Sequence, residues 1–110
     1  MKRKLQPDIW GNGVLSDGVR EYVTRRLGLA LDRFDHRIDR VQVRLEDVNG
    51  PRGGEDKRCR VQVSGSAWRI QVEGVGASFE HAIDAAAARA RRSVSGVLDR
   101  LADHRLHAVA

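Results

Sequence analysis

The sequence predicts an α+β domain, a two-layer sandwich in the order β-α-β-β-β-α. A four-stranded sheet carries both helices on one face. Three observations lead there. Residues 19–34 and 79–101 repeat apolar side chains at the helical period. Three segments between them alternate apolar and polar residues, as half-buried strands do. The connections joining those three are short or turn-rich, which makes them an antiparallel meander. Each helix has one apolar stripe and the strands share one apolar face, so two layers bury all of them economically. The polar face of the sheet is left to solvent.

The elements follow in order. Leu5–Trp10 reads as a first strand at a sheet edge, because Pro7 lacks the N–H a central ladder needs. Gly11-Asn12-Gly13 is a turn. Ser16 is a good N-cap for helix 1, with Asp17 in the first turn where a carboxylate suits the helix dipole. The buried stripe of that helix is Val19, Tyr22, Val23, Leu27, Ala30, Leu31 and Phe34. The second strand lies in Ile38–Val48, with Val41, Val43 and Leu45 inward. Residues 49–54 form a hairpin loop. Lys57–Ser64 turns Cys59, Val61 and Val63 inward, and Ser64-Gly65-Ser66 turns the chain. Ala67–Val75 places Trp68, Ile70 and Val72 inward. Ser78 opens helix 2, whose stripe runs from Phe79 through Ala82, Ile83, Ala86 and Ala90 to Leu101. Its alanines permit close approach to the sheet.

A chain of 110 residues is expected to be a single domain, here residues 1–104, followed by a short frayed tail at 105–110. It carries 20 basic against 15 acidic residues, a net charge of +5, and nearly all the basic residues are arginine. Arginine's planar fork pairs with phosphate and stacks on bases. A single cysteine forbids an intramolecular disulfide and fits a reducing compartment. Met1-Lys2-Arg3-Lys4 is basic, but no apolar run follows it as in a secretory signal, and no stretch is apolar enough to span a bilayer. The expected location is the cytoplasm, without membrane contact.

No constellation for catalysis stands out. The histidines His36, His81, His104 and His107 form no HExxH pair, and Cys59 has no cysteine partner, so neither metal nor cofactor is expected. On its strand Cys59 points into the core and acts as a small apolar group. Neither glycine-rich turn is followed by the Gly-Lys-Ser/Thr of a P-loop. Asp35/Asp39 and Glu46/Asp47 are interleaved with arginines and read as solvated surface. An enzyme and a small-molecule substrate are therefore not expected.

The arginines are ordered. Projected at 100° per residue, Arg26 and Arg33 flank the stripe of helix 1, with Arg25 further out. On helix 2, Arg89, Arg92 and Arg100 share one edge, while Arg91 falls on the opposite flank and Asp84 lies off the contact edge. The outward sheet face is expected to carry Arg44, Arg60 and Arg69 but no aromatic on which a base could stack, so RNA would meet the helices instead. The charge pattern alone leaves two readings open: a surface for a polyanion, or arginine stems covering apolar borders.

LSDGVREYVTRRL, FDHRIDRVQVRLED and SFEHAIDAAAARARR, in this strand and helix order, resemble the ribosome hibernation-promoting factor and ribosome-associated inhibitor family. The family is also known as sigma-54 modulation proteins. The resemblance spans roughly residues 4–103, and GGEDKRCRVQVSG is similar to a divergent short subgroup. It implies a non-enzymatic translation inhibitor that binds the 30S subunit or the 70S ribosome in the decoding channel. Its contacts would run from helix arginines to 16S rRNA phosphates. Arg20, Arg26 and Arg33 fall where the family carries basic residues on helix 1, and Arg89 and Arg92 do so on helix 2. Leu29 and Gly96 stand where typical members have lysine. The expected RNA-binding set is Arg20, Arg25, Arg26, Arg33, Arg89, Arg92 and Arg100. A protein-binding regulator and a generic duplex-RNA-binding domain are the alternatives.

Overall fold

The structure is a computed structural model that describes residues 5–11, 15–48 and 56–109, with side chains through Asp103. The turn expected at Asn12-Gly13, the loop at 49–54, and the side chains of His104 and His107 lie outside the described residues. The elements are β1 (Asp8–Gly11), α1 (Asp17–Leu31), β2 (Arg40–Asp47), β3 (Lys57–Gly65), β4 (Trp68–Gly76) and α2 (Phe79–Val109). They form the expected α+β fold, with the sheet ordered β1-β2-β3-β4. The molecule is a thin plate of 57 × 29 × 18 Å.

β1 pairs in parallel with β2, so the sheet is mixed, and the other two pairings are antiparallel. A parallel neighbour needs a crossover, and α1 supplies it. β1 is the edge strand, and Pro7 sits just before it, where a missing donor costs nothing. Both predicted caps are present. The Ser16 hydroxyl accepts from Val19 N–H at 3.1 Å and the Ser78 hydroxyl from His81 N–H at 3.2 Å. Each such cap stabilises its helix by about 1 kcal/mol.

The core is the predicted one. Val23, Leu27 and Leu31 of α1 and Ala82, Ile83, Ala86 and Ala90 of α2 are buried with Val41, Val43, Leu45, Cys59, Val61 and Val63 of the sheet. The alanines matter most at β4. A Cβ on Gly74 would lie 2.4 Å from both the Ala82 carbonyl oxygen and the Ala86 amide nitrogen. The backbone of α2 therefore rests on the strand with no side chain between them.

Four local readings are corrected. Helix 1 does not continue through Phe34: α1 ends at Leu31 and Asp32–Arg37 is a 3-10 helix. At three residues per turn Phe34 falls in line with Leu31, and both stay buried. The β3–β4 turn is Ser66-Ala67, with Gly65 still in the strand and Ala67 at φ 67°. Gly65 serves a close approach, since its Cβ would sit 2.2 Å from the Arg37 carbonyl oxygen. Asp35 is not solvated surface but 5% exposed, drawn inward by the 3-10 turn. Finally, the backbone of α2 stays helical to Val109, across residues read as a frayed tail.

Candidate nucleic-acid interface

The two helices meet through a polar clasp. Asp84 of α2 accepts through one oxygen from the Tyr22 hydroxyl at 2.7 Å and from Arg26 Nε at 3.0 Å, both on α1. The hydrogen bond to this carboxylate raises the Tyr22 phenol above its ordinary value, with burial and the carboxylate's charge adding to it. Arg26 and Asp84 keep 36% and 41% of their side-chain surface in solvent, so their ion pair stabilises by at most about 1 kcal/mol. Its larger effect is positional. Asp84 lies off the Arg89–Arg100 edge, as the helical projection placed it, and it faces α1 because α1 packs against that other flank of α2.

Beyond the clasp the helices border a groove of about 740 Å³ lined by Arg26, Arg33, Arg91 and Arg92. Asp99 is the acid among the lining residues, with Asp84 already paired. Among the described residues, Arg33, Arg91 and Arg92 have no carboxylate within ion-pair distance. Arg33 lies over the Phe34 ring at 5.2 Å, a cation–π contact that steadies the guanidinium at the rim. The groove wall also includes Leu29, 72% exposed, and Gly96.

The seven predicted arginines fall in four places. Arg26, Arg33 and Arg92 share the groove. Arg20 and Arg25 line a depression on the opposite flank of α1, with Arg25 over the Tyr22 ring at 5.8 Å. Arg89 turns to the sheet and donates to the Glu73 carbonyl oxygen, tying α2 to the edge of β4. Arg100 reaches back one turn, its Nη1 3.5 Å from where a Gly96 Cβ would be, so its charge lies against the groove wall. Arg91 is the groove residue missing from the predicted set: the projection put it on the flank opposite Arg89, and that is the flank α1 covers. Asp84 lies seven positions earlier on the same helical face, and once Asp84 is known to meet α1, Arg91 follows.

The sheet's charges behave differently. Arg58 pairs with Glu46 at 2.9 Å and Arg60 with Glu73 at 3.1 Å, with cross-contacts at 3.8 and 3.9 Å. The Arg58 hydrogen bond holds the Glu46 carboxyl below its ordinary value. These charges cancel within the sheet, whereas those of the groove do not. The open face does carry an aromatic, contrary to expectation. Trp10 is 43% exposed, because Ile9 takes the inward position on β1 and its neighbour must point out.

Cys59 is buried, and burial pushes its thiol up to about 12, which removes it as a nucleophile. No group of potential metal ligands occurs among the described residues, and no helix among them is long and apolar enough to cross a membrane.

A family described as "Sigma 54 modulation protein / S30EA ribosomal protein" matches residues 11–102. The N-terminal domain of Protein Y from Thermus thermophilus superposes with a TM-score of 0.65 at 26% identity, covering 79% of this chain and 91% of that one. A ribosomal subunit interface protein from Coxiella burnetii gives a TM-score of 0.69 over 84% of this chain and 96% of that one. At 16% identity the latter shows a shared fold alone. No curated protein matches.

Proposed function

Since the chain belongs to the sigma 54 modulation protein / S30EA ribosomal protein family, we propose that it is a ribosome-associated translation inhibitor that docks its interhelical groove on rRNA phosphates. The binding surface would be the decoding channel of the small subunit, where an occupied channel excludes mRNA and tRNA. One observation carries the reading: Arg33, Arg91 and Arg92 converge on one groove without carboxylate partners. Uncompensated guanidiniums on a rigid two-helix frame suit a phosphate backbone, which is read by charge and position rather than by sequence. Inhibition then needs no chemistry, only occlusion.

Co-sedimentation with purified 30S subunits and 70S ribosomes tests this. The wild-type chain should pellet at low salt and be released as salt rises. The triple variant Arg33→Glu, Arg91→Glu, Arg92→Glu should stay in the supernatant with an unchanged circular dichroism spectrum. A variant that pelleted like the wild type would remove the groove from the interface. Capture of protein partners that survives nuclease, with no rRNA among them, would favour a protein-binding regulator instead.

A further inference from the structure

The open face of the sheet carries a second constellation, on the other side of the molecule from the groove. Cross-strand pairing sets Trp10, Arg44 and Arg60 in one row and Gln42, Gln62 and Gln71 in the row beside it. These six side chains surround a depression of about 360 Å³. Trp10 forms one wall with its indole 43% exposed. Gln62 Nε2 donates to Gln42 Oε1 at 3.1 Å, which orients both amides and leaves the other half of each group for a ligand. Arg60 is held in place by Glu73 at 3.1 Å. Arg44 is exposed; the Glu46 carboxyl is near enough to feel its charge, but among the described residues no carboxylate lies within ion-pair distance of it.

The chemistry of this depression is specific. Its floor is a row of neutral amides, which offers paired donors and acceptors rather than an apolar surface. A side-chain amide sets a donor beside an acceptor, the complement of a nucleobase edge. An exposed indole offers a stacking face that any base can use. Arg44 adds a cation where a phosphate next to a stacked base can reach it. We propose that this face binds an unpaired nucleobase of single-stranded RNA. The base stacks on Trp10, its edge meets the glutamine row, and the adjoining phosphate rests on Arg44. The site does not depend on the groove being the ribosomal contact.

Titration of the whole chain with a single-stranded RNA octamer, followed by tryptophan fluorescence, tests it. Trp68 is buried, so quenching reports Trp10. The octamer should quench saturably, and an RNA duplex or inorganic polyphosphate at equal charge should not. With the groove removed by Arg33→Gln, Arg91→Gln and Arg92→Gln, a further Trp10→Ala should weaken octamer binding, read by anisotropy, at least about fivefold, while Trp10→Phe should retain most of it. The groove variant Arg33→Gln, Arg91→Gln, Arg92→Gln should still be quenched, which separates this site from the groove. Equal quenching by polyphosphate, by duplex or by poly-glutamate would overturn the proposal. So would an octamer affinity that Trp10→Ala, on the groove-variant background and still folded by circular dichroism, leaves unchanged.

Discussion

The strongest quantitative consequence of the groove concerns salt. Neutralising a phosphate releases a counterion, and each such contact steepens the fall of log affinity with log salt by about 0.7 to 0.9. Arg33, Arg91 and Arg92 have no ion pair to break before they meet a phosphate. Replacing all three by glutamine should therefore flatten the slope by about 2 to 3. Over a fourfold rise in salt, wild-type affinity for the small subunit should fall about 20- to 40-fold further than the variant's. Arg26 differs, because Asp84 already holds it at 3.0 Å. Arg26→Gln should change the slope by less than one contact's worth, and Asp84→Asn should steepen it by about one contact as Arg26 is freed. Anisotropy of the labelled chain with purified 30S subunits, across monovalent salt, measures all four slopes. A triple variant with the wild-type slope would refute the argument, whatever its absolute affinity.

Three further outcomes follow from the packing. Gly74→Ala should destabilise the fold by about 1 to 3 kcal/mol in urea unfolding, because the new methyl meets α2 backbone that cannot rotate away. Gly28→Ala should do the opposite, raising stability by about 0.5 to 1 kcal/mol in the same assay, since its Cβ meets nothing within 4 Å on a helix. Cys59 should react with a disulfide reagent at pH 8 no faster than the chain unfolds. Its thiol is raised in the fold, so its contribution to stability is full below about pH 9 and declines as pH climbs toward about 12.

The layers, the caps and nearly all of the core could be read from the sequence, because each rests on local periodicity. Val41, Val43 and Leu45 alternate whatever the strand pairs with, and Ser16 caps whatever α1 packs on. What could not be read depends on how elements face one another. A helical wheel gives the angle of Arg91 from the apolar stripe but not which flank α1 will cover. Arg89 and Arg92 differ by only three positions, yet one meets β4 and the other the groove. The same limit applies to Trp10, whose outward position follows once the parallel register of β1 on β2 is known. Asp35 was hidden for another reason: the switch from α to 3-10 geometry at Asp32 changes the period in mid-segment.

The thin plate has an electrical consequence. Its shortest dimension is 18 Å, about two Debye lengths at physiological ionic strength. Charges on the groove side and on the open sheet side are thus nearly invisible to each other through solvent. Substitutions on the two faces should combine additively within about 0.5 kcal/mol in any binding or stability cycle. Each surface can then be retuned by mutation without altering the field the other presents.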